Sequence, residues 1–202
     1  MKFIIQLAAL LAILPGSTAV YAVCTSPGTN LNITKPDNLY TNNGDGTVSD
    51  NNTGLMWQAC PLGLSGTGCA TGTLQIETWQ STLATARTDT TGGYTDWRLP
   101  NKNELMSLID FACFSPAINN GVFPATTLIP PPAGDFYWTS TPVLGSTSVN
   151  TLIWAIDFDN GSTTGASKDN ANSGHVRLVR GMELLDSTAP APTPTPPELI
   201  GG

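Results

Sequence analysis

The segment from Thr95 to Leu105 constrains the fold more than any other part of this chain, and it reads Thr-Asp-Trp-Arg-Leu-Pro-Asn-Lys-Asn-Glu-Leu. Asn101 and Glu104 have the spacing of a capping box, in which each side chain accepts a hydrogen bond from the backbone N–H of the other residue. Apolar residues then recur at helical spacing. The sequence therefore predicts a helix over about 102–110, with Trp97 in the core at its entrance.

The same segment contains Arg98, and a second arginine, Arg177, lies in the last apolar stretch of the chain. An arginine beside buried-type residues generally pairs with a carboxylate. We expect Glu104, Asp96 or Asp110 to be the partners, so that both arginines join the helix to the last strand. Anion binding is the alternative role for these two side chains.

The two ends of the chain differ in composition from its middle. Lys2 is followed by an apolar run and by small residues before Val23, which is typical of a cleaved signal peptide. Sixteen proline residues occur in the chain, and many of them lie in the C-terminal tail, which should be extended. The expected division is a signal peptide (1–22), an irregular lead-in (23–38), one domain (39–186) and a Pro-rich disordered tail (187–202). The protein would be exported, to the periplasm, the medium or the cell surface.

Charge and composition limit the classes of partner. The formal net charge is −7, and loss of Lys2 would make the mature chain more negative still. Nucleic acid is therefore excluded as a partner, because phosphate binding needs clustered Lys and Arg. No segment after the leader is apolar enough to insert into a membrane. Hydrophobic residues make up 40% of the chain, which favours a folded domain.

Four cysteines suit two disulfides in an oxidising compartment. Cys60 and Cys69 flank a short Gly-rich loop that closes easily, so we expect them to pair. Cys24 with Cys113 follows by elimination.

The remaining patterns predict an α+β fold, with a mostly antiparallel sheet, two helices and long loops. A first helix should begin after Thr78, with Trp79, Leu83 and Ala86 on one face, and all five tryptophans should pack in the core. Trp154 should share one face of its strand with Ile156 and Phe158. The strands are expected at 47–49, 55–58, 136–140, 152–158 and 175–180. Turn residues around Gly44 and Asn52 indicate hairpins rather than a calcium loop.

Several motifs, in order, resemble the C-terminal domain family of the Legionella collagen-like adhesin. They are Asn43-Gly44-Asp45-Gly46-Thr47-Val48-Ser49-Asp50, Thr53-Gly54-Leu55-Met56-Trp57, Thr78-Trp79, Tyr94 to Asn101, Glu104-Leu105, Pro116 to Asn119, Tyr137 to Ser140, Asp157 to Gly161 and Val176 to Gly181. The resemblance implies a C-type-lectin-like fold, distantly related to the formylglycine-generating enzymes. It also implies an adhesive function, and the adhesin relatives bind sulfated polysaccharide, which this acidic chain suits poorly.

The residues give little support to the hypothesis that this protein is an enzyme. The formylglycine-generating enzymes use paired cysteines near the C-terminus to bind copper, whereas the last cysteine here is Cys113. His175 is the only histidine and is expected to be a packing or surface residue. Asp157 and Asp159 flank a turn that uses such side chains itself. We therefore expect no catalytic residue, no metal and no cofactor.

The candidate ligand-binding surface is the polar stretch 160–174, between two predicted strands. Loops held by a rigid scaffold often carry binding residues. A glycan or protein ligand would contact Asn160, Ser162, Thr163, Thr164, Lys168, Asp169, Asn170 and Asn172. The alternative is a purely structural subunit of an extracellular assembly, and the adhesin resemblance raises the option of a trimer.

Overall fold

The computed structural model describes residues 26–27, 32–126, 136–144, 152–168 and 174–181. The predicted signal peptide, the Pro-rich tail and Cys24 lie outside these ranges. The described part is a mixed α/β fold with mostly antiparallel sheets and two α-helices.

The elements follow one another as strands, two helices and again strands, as the sequence predicts. In chain order they are β1 (Ser26–Pro27), β2 (Tyr40–Asn42), β3 (Thr47–Asp50), β4 (Leu55–Gln58), β5 (Leu64–Ser65), β6 (Thr71–Gly72), α1 (Trp79–Thr88), α2 (Lys102–Met106), β7 (Cys113–Phe114), β8 (Phe136–Pro142), β9 (Leu152–Asp157), β10 (Ser162–Ser167) and β11 (Val179–Gly181). Single 3-10 turns occur at Asp37–Leu39, Thr67–Cys69 and Thr91–Gly93.

A four-stranded antiparallel sheet, in the order β11-β4-β3-β2, forms one side of the domain. The predicted hairpin is confirmed, since Val48 pairs with Trp57, which in turn pairs with Val179 of β11. All three side chains are fully buried. The Asp50 side chain accepts hydrogen bonds from backbone N–H groups of the β3–β4 turn, as expected for an Asp in a turn.

A second antiparallel sheet has the order β10-β9-β8. The pairing of β8 with β9 shifts register after Trp138, and this bulge brings Thr141 to the start of α2. There the Thr141 hydroxyl accepts a hydrogen bond from the N–H of Lys102 at 2.9 Å. The prediction that 160–174 is a loop was wrong in its first half, because Ser162–Ser167 pairs with β9 residue by residue.

Both helices begin where the sequence predicts. Thr78 caps α1 by accepting from the N–H of Ser81, and the capping box of Asn101 and Glu104 is complete. The second helix is shorter than predicted, however, and ends at Met106. The chain beyond it continues with tighter turns, and Asp110 donates its N–H to the carbonyl of Ala117 instead of extending the helix.

Two clusters of apolar side chains form the core, one containing Trp57 and the other containing Trp97 and Trp138. These three tryptophans are buried as predicted, whereas Trp79 and Trp154 are half-buried. Trp154 lies under the ammonium of Lys102, 4.1 Å from the ring centroid, and does not join Ile156 in the core. Trp154 and Ile156 nevertheless share one face of β9, as predicted, because they lie two residues apart in the same strand.

The closing strand is also shorter than predicted. Only Val179–Gly181 forms β11, while His175 makes an isolated parallel bridge to Tyr137. Between them the backbone carbonyls of Val176 and Leu178 accept hydrogen bonds from the N–H groups of Leu62 and Gln58. Neither helix in the described ranges is long and apolar enough to cross a membrane.

Candidate binding surfaces

The predicted ligand residues lie partly on the β9–β10 hairpin and partly beyond the described residues. Ser162 and Thr164 are exposed, and Thr163 and Lys168 are half-exposed. Asn160 serves the turn, because its side chain accepts from the N–H of Ser162 and donates to Asp157. Asp169, Asn170 and Asn172 lie outside the described residues.

The outer edge of β10 carries backbone N–H and C=O groups that point away from the sheet, in addition to its side chains. The Thr139 hydroxyl donates to the carbonyl of Trp154, so that carbonyl faces β8. Because backbone direction alternates along a strand, Gly165, which lies opposite Trp154, turns its own N–H and C=O away from β9. Thr163 and Ser167 do the same. No hydrogen bond within the described part of the chain reaches these outward groups.

The residues around the capping box connect α2 to the last strand, as the sequence predicts for Arg98. The Arg98 guanidinium makes two hydrogen bonds of 2.8 Å to the Glu104 carboxylate, which also accepts from the N–H of Asn101. The backbone of Arg98 bridges Val179 of β11 in both directions. Trp97 is buried and donates its indole N–H to a backbone carbonyl. Together these contacts join the start of α2 to the last strand.

Arg177 does not have the carboxylate partner that the sequence predicts. Its buried guanidinium donates to the carbonyls of Gln58 and Ala59 and to the hydroxyl of Thr126, and it lies 5.0 Å from the ring centroid of Phe123. Burial lowers the pKa of Arg177 to about 10. The charged side chain therefore joins the end of β4 to the segment that contains Thr126.

The carboxylates expected to pair with Arg177 have other partners. Asp96 binds the guanidinium of Arg180 at 2.6 Å, and this hydrogen bond is the main reason why the pKa of Asp96 lies below its usual value. Asp110 accepts from the backbone N–H groups of Thr34, Lys35 and Ala112. Both carboxylates therefore hold structure together.

The other titratable candidates also lie in packing or turn positions. His175 is fully buried against the ring of Tyr137, with a centroid distance of 5.1 Å. Asp157 accepts from the N–H of Asp159 within the turn, and Asp159 accepts from the hydroxyl of Ser115. No group of three or more metal-ligating side chains occurs among the described residues.

A groove that the sequence analysis missed lies beside the disulfide loop. Cys60 and Cys69 are bonded as predicted, and none of the described cysteines is free. Pairing of Cys113 with Cys24 stays a prediction, since Cys24 is not described. Two cavities of about 490 Å³ and about 540 Å³ adjoin here. They share the lining residues Gly44, Gly46, Cys60 and Gly66.

The walls of this groove come from four separate segments. They are the β2–β3 turn, the disulfide loop, the turn after α1, which contributes Asp89 and Thr91, and residues 121–124, which line the second cavity. The cluster of glycines in Asn43-Gly44-Asp45-Gly46 was the available signal, but sequence alone does not place it opposite the disulfide loop. The lining of both cavities contains no Lys, Arg or His.

Comparison with known proteins agrees with the ordered motifs in the sequence. No curated protein matches the chain. The family model described as the Lcl C-terminal domain matches residues 46–180, which is more than half of the 202 residues. The match begins in the β2–β3 turn and ends within β11, so it covers both helices, the three-stranded sheet and the four-stranded sheet apart from β2. The resemblance to the C-terminal domain family of the Legionella collagen-like protein is thereby confirmed, and the chain belongs to the Lcl C-terminal domain family.

Proposed function

We propose that this domain is a non-catalytic binding module of an exported protein, related to adhesion. The observation that carries the proposal is the family match over residues 46–180. An antiparallel α+β architecture with a capped Arg-Leu-Pro helix entry supports a C-type-lectin-like fold. The Cys60–Cys69 disulfide supports export, because such bonds persist in oxidising compartments.

The β9–β10 hairpin and the residues after it, over about 159–175, form the proposed ligand surface. The hydroxyls of Ser162 and Thr164 are exposed, and the outward backbone groups of β10 add donors and acceptors. These groups suit hydrogen bonds to a glycan or to an extended protein segment. A strongly anionic ligand is disfavoured because the chain carries a net charge of −7.

The test is a glycan and surface-protein array probed with the mature protein, with Val23 as the expected first residue. A triple variant, Ser162→Ala, Thr163→Ala and Thr164→Ala, removes hydroxyls but keeps every backbone hydrogen bond of β10. We expect binding of an array ligand to weaken about tenfold, which corresponds to about 1.4 kcal/mol. Thr53→Ala, in the β3–β4 turn, is the matched control.

Unchanged binding in the triple variant would contradict the proposed surface. Absence of any array ligand, together with self-association in sedimentation experiments, would favour a structural subunit. Turnover of a bound ligand by the wild-type protein would contradict the non-catalytic role.

A further inference from the structure

We propose that the groove between the β2–β3 turn and the Cys60–Cys69 loop is a second binding site, which takes a neutral, hydroxyl-rich ligand such as a short unsulfated oligosaccharide. This site is distinct from the β9–β10 hairpin and does not depend on it. The two surfaces share no residue, since the lining of the groove ends before residue 125 and the hairpin begins at Leu152.

The size of the groove suits a small ligand. Each of its two cavities, of about 490 Å³ and about 540 Å³, falls in the range of roughly 300–1,000 Å³ that small-molecule sites occupy. The cavities meet at Gly44 and Gly46 on one wall and at Cys60 and Gly66 on the other. A ligand of several linked rings can therefore extend from one cavity into the next.

Hydrogen bonds and the disulfide hold the walls of the groove in place before any ligand arrives. The N–H of Ala59 donates to the carbonyl of Gly46, and the Gln58 amide donates to the hydroxyl of Thr91. The disulfide closes the loop opposite the turn. A site formed in advance loses less conformational entropy on binding than a flexible one.

The chemistry of the lining selects against anions. Asp45 and Asp89 both line the first cavity, and its lining contains no cationic side chain. One oxygen of each carboxylate accepts hydrogen bonds from neighbouring Thr residues, while the second oxygen accepts none within the described ranges. Those oxygens suit donation from sugar hydroxyls, and glycine-rich walls allow a ligand to approach the backbone closely.

Three glycines provide a matched experiment. Gly44, Gly54 and Gly68 have φ angles of +80°, +73° and +65°, and a Cβ at any of them would meet nothing within 4 Å. Asn tolerates this backbone region better than other residues, so each glycine is replaced by Asn. Gly44→Asn places a side chain at both cavities and Gly68→Asn at the second. Gly54→Asn, in the β3–β4 turn, is the control because Gly54 lines neither cavity.

Binding is measured by NMR titration of the disulfide-bonded mature protein with maltotriose, cellotriose and chitotriose, and with a heparin hexasaccharide as the anionic comparison. We expect at least one neutral trisaccharide to bind and to shift the resonances of groove residues. Gly44→Asn should weaken this binding at least about tenfold, while Gly54→Asn leaves it within about twofold. Melting temperatures of the three variants show whether each remains folded.

Several results would overturn the inference. They are binding of none of the three trisaccharides, preference for heparin, binding that disappears in EDTA, or equal effects of Gly44→Asn and Gly54→Asn. The β10 triple variant separates this site from the proposed function. It should leave trisaccharide binding unchanged, so loss of binding in that variant would place the sugar on the hairpin instead.

Discussion

At the scale of single residues, His175 makes the stability of the domain depend on pH. Its side chain is fully buried, neither ring nitrogen has a hydrogen-bond partner among the described residues, and burial lowers its pKa from 6.5 to about 4. The unfolded chain therefore takes up a proton near pH 6.5, while the folded chain does so only near pH 4. The free energy of unfolding should fall as the pH falls through this window, by about 2 kcal/mol between pH 7.5 and pH 5. Urea denaturation at the two pH values measures this loss.

The chain offers a direct control because His175 is its only histidine. His175→Phe retains an aromatic ring beside Tyr137 and removes the titrating group. Its free energy of unfolding should be nearly the same at pH 7.5 and pH 5. An equal pH dependence in wild type and His175→Phe would show that another group is responsible.

At the scale of elements, α2 depends on its first turn, because a helix this short makes few hydrogen bonds of its own. Glu104 accepts both from the N–H of Asn101 and from the guanidinium of Arg98. Glu104→Ala removes both contacts and should lower the free energy of unfolding by about 1–2 kcal/mol. Glu104→Gln keeps the cap and should cost less than half as much. Thermal and urea denaturation of both variants tests this order, and equal losses would contradict it.

The contacts of Glu104 should also lose their stabilising effect as the pH falls, but over a lower pH range than that of His175. Burial alone would raise the pKa of Glu104, but hydrogen bonds from Arg98 and from the N–H of Asn101, with the charge of Arg98, hold it below 4.5. Its contribution is therefore present above pH 4.5 and is lost as the pH falls through the lowered pKa. For this reason the His175 measurement stops at pH 5.

Elements with strong local signals were predictable, and those fixed by distant contacts were not. Thr78 and the capping box set the starts of both helices, because cap residues bond to nearby backbone. In contrast, Ser162–Ser167 consists of small, mostly polar residues that are typical of loops, and it is a strand only because β9 lies beside it. The end of α2 was missed for a similar reason, since Asp110 pairs with a residue later in the chain.

At the scale of the whole molecule, the sequence identifies the family but does not locate the groove. The motifs that carry the resemblance are mostly residues of the core and of turns, such as Trp57, Trp97 and Leu105. Arg177 is part of this set, but no pattern in the sequence indicates that its partners are backbone carbonyls. The groove arises where four segments meet, so its glycines look like ordinary turn residues until the fold is known.

The last prediction concerns how the disulfide loop relates to the rest of the molecule. The Cys60–Cys69 bridge spans a sequence separation of 9, and Leu62 is the one residue between the two cysteines that belongs to a core cluster. Replacing both cysteines with alanine should lower the free energy of unfolding by about 2–3 kcal/mol. The domain should remain folded, because small domains typically have about 5–15 kcal/mol of stability.

Urea denaturation measures the loss, and amide NMR shifts should change mainly around β5, β6 and the β2–β3 turn. Ser65→Ala, which keeps the bridge, is the control. If the amide NMR shifts around His175 and Trp138 also changed in the double variant, that result would contradict a local role for the bridge. In that case the bridge would stabilise the whole fold, and the groove and the core would unfold as one unit.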